Sequence, residues 1–164
     1  MRKIKLSLLT LFSVLVVALI CSSCTSPVDY CDNVMTKCTK LEKGVNKFID
    51  QLPSNDLSKI QTTYDENLAE INETIEYLQK LGPCNDKDYL QKAGLFYAQT
   101  YKEIYETEYA KAIESIKNNE KMDSKKITAI LEKVEKKSLT AQSNLITNFT
   151  KFIKEFDITV NNNF

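Results

Sequence analysis

From Ser26 onward the chain repeats apolar positions at helical spacing. Cys31, Val34, Cys38, Leu41, Val45, Phe48 and Leu52 alternate steps of three and four, a sustained seam of the a/d kind that predicts one long helix. Ser26-Pro27-Val28-Asp29 supplies its start, with Ser26 as N-cap, Pro27 at the first helical position and Asp29 three after the cap. Leu52-Pro53-Ser54-Asn55-Asp56 ends it, because Pro53 lacks an amide proton and the polar residues after it favour a turn and a fresh cap. A second helix is expected from about Asp56 to Leu81, with Leu57, Ile60, Tyr64, Leu68, Ile71, Ile75 and Leu78 on one face and Asp65, Glu66, Glu70, Glu73 and Glu76 on the other. Gly82-Pro83 breaks it, and Asn85, with Asp88 three later, opens a third helix running to about Asn118. Lys117 to Asp123 reads as a polar loop. The fourth helix, from near Ser124, carries two adjacent stripes: Ile127, Leu131, Val134, Ala141, Leu145 and Phe152, and beside them Leu139, Ile146, Phe149, Ile153 and Phe156. A face that broad implies two neighbours.

Four amphipathic helices with short connections predict an all-α fold, an up-down-up-down four-helix bundle over residues 24–156 with a flexible tail at 157–164. The competing architecture is a pair of long hairpins that complete their core only by dimerising. No internal repeat or strand-rich region interrupts this reading. An acidic second helix and a basic fourth one would aid register or association, each exposed pair contributing about 0.2 to 1 kcal/mol.

The first 23 residues follow a different pattern. Arg2, Lys3 and Lys5 precede an apolar run from Leu6 to Ile20, which Cys21-Ser22-Ser23-Cys24 closes. This has the form of a signal peptide. The cysteine at its end resembles the acceptor of a bacterial lipoprotein, in which the chain is cut just before a Cys that carries lipid on its sulfur. The small Ser23 before Cys24 fits that pattern better than Ile20 before Cys21, although Cys21 stands three before Cys24 where the family usually has Leu or Val. An uncleaved anchor and an ordinarily cleaved, soluble secreted product are the alternatives. The run is shorter than the roughly 20 residues a spanning helix needs.

What the resemblance implies is membrane attachment through palmitate-type acyl chains on Cys24, on the extracytoplasmic side of a bacterial membrane, periplasmic or at the cell surface. Each buried methylene contributes about 0.8 kcal/mol, so several chains give a lasting anchor. With the first helix starting at Ser26-Pro27, the bundle would begin almost at the headgroups. Gly82 to Asp88 and the tail would then face the membrane, with Gln51 to Asp56 and Lys117 to Asp123 at the distal tip, where a protein partner would be met.

Composition narrows the chemistry. Losing Arg2, Lys3 and Lys5 with the signal segment leaves a remainder with a net charge of −3 and no arginine, histidine or tryptophan. Nucleic-acid binding is disfavoured without arginine for bidentate phosphate and guanine contacts. The absence of histidine removes the Glu-x-x-His motifs of carboxylate-bridged di-iron bundles and any imidazole base for a thiol. No catalytic residue, metal site or cofactor is therefore expected. Glu66, Glu70 and Glu73 read as a solvated row.

Two candidates remain. Cys31 and Cys38 lie about 10.5 Å apart along a helix axis, too far to bond, whereas Cys84 returns towards the start of the first helix and is a candidate disulfide partner for Cys31. Both seam cysteines are equally readable as small buried hydrophobes. Tyr97, Tyr101, Tyr105 and Tyr109 recur every four residues, a ladder that turns about 40° per step. It is expected to bridge two helix interfaces with hydroxyls at the rim, or to stack a sugar or apolar ligand. Gly94, in the same helix, would permit a close helix approach. The expected role is thus that of a membrane-anchored lipoprotein with a structural or protein-interaction task, the alternative being a ligand-binding module built on the tyrosine helix.

Overall fold

The computed structural model describes residues 26–159. Residues 1–25, which include the expected signal segment and Cys24, and residues 160–164 lie outside them. Five α-helical segments follow in order: α1 (Pro27–Gln51), α2 (Leu57–Leu81), α3 (Tyr89–Ile104), α4 (Ala110–Lys117) and α5 (Ser124–Glu155). A π turn, Tyr105–Tyr109, joins α3 to α4 without a break, so the chain forms four antiparallel rods, an all-α bundle. Among the described residues there is no strand, only an isolated antiparallel bridge between Cys84 and Lys87.

Local chemistry sets the ends of the rods. Ser26 caps α1, its Oγ accepting from the Asp29 amide at 3.1 Å while its hydroxyl donates to the Asp29 carboxylate at 2.6 Å. Asp56 caps α2 through the Lys59 amide, and Asp123 caps α5 through the Lys126 amide. The third rod starts later than the sequence suggests, and Asn85 is not its cap. Asn85 and Asp86 both have positive φ, 47° and 64°, and Cys84 and Lys87 exchange two backbone hydrogen bonds of 2.9 Å across them. This is the pattern of a tight two-residue turn, which Asn and Asp enter at small cost.

The last two rods close with a left-handed residue and a backbone hydrogen bond reaching back five residues. Asn119 follows α4 and Asp157 follows α5, each with the next amide bonded back, Glu120 to the Ser115 carbonyl at 2.9 Å and Ile158 to the Ile153 carbonyl at 2.8 Å. These are Schellman closures, and at the second Ile158 folds back onto the core. Asp157 and Ile158 therefore complete the end of α5.

The α1 seam is buried throughout, from Cys31 to Leu52, with Tyr30 and Met35 added beside it. Gly94 lies where a Cβ would stand 2.9 Å from Val34 Cγ1 and 3.4 Å from Leu78 Cδ1, so α1, α2 and α3 approach closely at that point. The rods are unequally packed. α3 lies along both α2 and α5, α1 lies along α2 and also reaches α3, and α5 touches α1 only lightly. The bundle is a tight three-rod unit with α5 laid along its α3 edge. The acidic row of α2 serves the same unit: Glu70 pairs with Lys37 and Lys40, and Glu66 with Lys47 at 3.1 Å. Those pairs link α2 to α1 and not to α5.

Candidate functional site

The tyrosine ladder forms the centre of the bundle. Tyr97, Tyr101, Tyr105 and Tyr109 are all buried. A straight α-helix would carry the ladder about 120° around its axis over three steps of four residues. The π turn inserts one residue and rotates the following helix back by about 100°. That correction keeps Tyr109 on the side of Tyr97, so the ladder does not wind out to a second face and its hydroxyls do not sit at the rim.

Around the π turn the rings form one aromatic layer. Phe48 of α1 lies 4.6 Å from Tyr109 and 5.8 Å from Tyr105, and Tyr64 of α2 lies 5.6 Å from Tyr105. Asn67 ties this layer together: its Nδ2 donates to the Gly44 carbonyl and to the Tyr105 hydroxyl, both at 2.8 Å. A Cβ on Gly44 would stand 2.6 Å from Asn67 Oδ1, so the glycine makes room for the amide. Tyr109 Oη finds no hydrogen-bond partner among the described residues. Burial pushes the Tyr97 and Tyr109 hydroxyls well above the ordinary tyrosine range.

A small cleft opens where α1 and α5 are loosely apposed over α3. Cys38 and Glu42 of α1, Tyr97 of α3, and Gln142 and Ile146 of α5 line it. Its volume of about 30 Å³ holds about two waters, far below the hundreds of Å³ of a drug-sized site. Gln142 Nε2 donates to the Tyr101 hydroxyl at 3.3 Å and to Ser138 Oγ at 3.4 Å, within the buried polar contact of α3 and α5. Glu42 makes no ion pair or hydrogen bond among the described residues, and burial raises its carboxyl above the usual glutamate value.

A wider, open groove of about 210 Å³ runs between α4 and the first half of α5. Lys111, Lys126 and Lys133 edge it, over a floor that includes Ala112, Met122 and Ile130. At its end Glu108, buried and placed by the π turn, meets Lys137 at 3.1 Å and Lys133 at 3.8 Å. Burial alone would raise the Glu108 carboxyl, but the Lys137 hydrogen bond and the charges of Lys137, Lys133 and Lys111 hold it below the ordinary range.

Cys31, Cys38 and Cys84 are buried thiols. Cys31 and Cys84 share the end of the bundle where α1 starts, and Cys38 lies deeper in the α1 seam. Among the described residues no group of His, Cys, Asp and Glu is arranged to hold a metal, and no helix is long and apolar enough to cross a membrane. Sequence reasoning missed Glu42, Ser138 and Gln142, polar residues at positions that only packing reveals as interior. It also missed Met122, buried inside a polar loop with its amide donating to Asn55 Oδ1 at 2.7 Å, a contact that joins the α1–α2 turn to the α4–α5 turn. Set against protein-family models, curated protein sequences and solved structures, the chain matches none.

Proposed function

We propose that this chain is a bacterial lipoprotein whose bundle is held at a membrane through lipid on Cys24 and serves a non-catalytic, structural or protein-binding role in the cell envelope. The observation that carries the reading is the position of the α1 cap. Ser26 closes the first turn two residues after Cys24, so a lipid on that cysteine leaves no flexible spacer between membrane and bundle.

The rest of the fold agrees with such a mount. Tyr30 in the first turn donates to the Gly82 carbonyl at 2.9 Å, while Lys87 and Tyr89 reach Glu155 near the end of α5 at 3.1 and 2.7 Å. These contacts gather the start of α1, the α2–α3 turn and the end of α5 at one pole. The Asn55–Met122 contact gathers the other two turns at the opposite pole, which is the surface we assign to a protein partner. The ladder does not favour the ligand-binding alternative, since of its four tyrosines only Tyr97 lines the small cleft.

The test is fractionation of cells expressing the full chain. Wild type should sediment with membranes and incorporate labelled fatty acid, and Cys24→Ala should lose the label and leave the membrane fraction. Membrane retention of the variant without label would refute the lipid assignment. A pull-down using the anchored protein and a variant with both distal turns replaced tests the partner surface: the reading expects a partner lost with the turns, and unchanged capture would move the surface elsewhere.

A further inference from the structure

The anchor-facing pole holds two cysteines from separate elements. Cys31 sits in the first turns of α1 and Cys84 at the start of the Cys84–Lys87 turn, and both are buried, at 5 % and 6 % exposure. The contacts around them fix these two segments together. Tyr30, next to Cys31, donates its hydroxyl to the carbonyl of Gly82, two residues before Cys84, at 2.9 Å. Tyr30 and Tyr89 pack on the same Phe152 ring, with centroids at 5.5 and 6.0 Å. Each thiol lies within electrostatic reach of Tyr89, and Cys84 within reach of Cys31.

From this placement we infer that Cys31 and Cys84 are a modification site, a pair that closes into a disulfide when the chain folds in the presence of a disulfide donor. The donor is a protein or small-molecule disulfide. One thiolate attacks it to form a mixed disulfide, and the second thiolate displaces the donor's sulfur. The chain loses two protons and two electrons, and the donor leaves as two thiols. Cys38 cannot pair with Cys31: on the same helix it lies two turns away, beyond bonding reach.

The same burial dictates when the bond forms. Desolvation first, then the nearby charges of Asp32 and Cys84, push the Cys31 thiol from 9.0 up to about 12, which leaves roughly a thousandfold fewer thiolates than an ordinary cysteine has. Once the reduced chain has folded, burial of both thiols slows their attack on a disulfide. Closure therefore belongs to folding, and a closed bond would clasp the α2–α3 turn to the start of α1.

The experiment uses the purified full chain, unfolded and reduced, then refolded in a glutathione redox buffer, with thiols trapped and peptides mapped by mass spectrometry. The expected result is one dominant cross-linked peptide joining Cys31 and Cys84, retained in Cys38→Ala and lost in Cys31→Ser and Cys84→Ser. Oxidation of the already folded, reduced chain by the same buffer should be at least tenfold slower. Recovery of Cys31 and Cys84 as thiols after refolding, or pairing of either chiefly with another cysteine, would overturn the inference. The assay is indifferent to export and lipid, so its failure leaves the anchoring proposal standing, and the converse holds.

Discussion

Two glutamates that face α5 from opposite edges, Glu108 and Glu42, have opposite surroundings. On the edge shared with the third rod, Glu108 is met by Lys133 and Lys137 and held below the ordinary carboxylate range. On the edge shared with α1, Glu42 has no cation paired with it among the described residues, and burial raises it. Packing varies along the helix. Val134 and Ala141 are buried in the body of the helix, whereas Leu145 and the partly exposed Ile146 border the small cleft against α1, and Phe152 closes the end of the helix against Tyr30 of α1 and Tyr89 of α3. The helix is seated mainly along α3 and, at its end, by Phe152 against Tyr30, so loosening those contacts should displace it more than loosening the cleft does.

The largest break should come from Phe152, fully buried between Tyr30, Tyr89 and Phe156. Phe152→Ala should cost about 3 to 5 kcal/mol, read as a fall in the denaturation midpoint; a loss below 1 kcal/mol would mean that α5 is not seated there. Within the three-rod unit, Asn67→Ala removes the amide shared by Gly44 and Tyr105 and should cost about 1 to 3 kcal/mol. A near-neutral result in urea unfolding would show that water replaces it.

Glu108→Gln should cost about 1 kcal/mol at neutral pH. Its sign with pH is fixed by linkage: a carboxyl depressed in the folded state stabilises above its unfolded value, and that contribution disappears as pH falls through the folded value. The wild type and Glu108→Gln should therefore converge in acid, and a gap that persists would place the effect in packing. Glu42 has the opposite sign. Its folded value is raised, so stability falls as pH climbs through the window above the ordinary glutamate value, and Glu42→Gln should flatten that decline and give a small gain near neutrality. Ile146→Ala, on the loose edge, should be the mildest, below about 1.5 kcal/mol; a cost matching that of Phe152→Ala would erase the contrast between the edges.

Much of this architecture was legible in the residues themselves. The seam from Cys31 to Leu52 and the caps at Ser26 and Asp56 follow from local rules of spacing and hydrogen bonding, which need no partner. Features set by packing were not legible. The π turn leaves no mark on a ladder of every-fourth tyrosines, so that ladder reads as winding outward when it is kept inward. On α5 the apolar positions allow two stripes, and the choice depends on which neighbour arrives. The structure buries Ser138 and Gln142 and leaves Leu139 57 % exposed, because the Tyr101 hydroxyl offers a partner to the amide. Asn85 carries a cap-like side chain, yet its tolerance of positive φ made it a turn residue. Of the candidate site residues, the buried tyrosines could be foreseen, whereas Glu42 became noticeable only once the α1–α5 edge was seen to be open.

The most direct test of the account is the mass of the N-terminal peptide from protein extracted out of membranes. The account predicts that the chain begins at Cys24 and that this residue carries acyl mass, so that α1 starts two residues from the lipid. A chain that keeps Met1, or that begins after cleavage elsewhere with Cys24 unmodified, would contradict it.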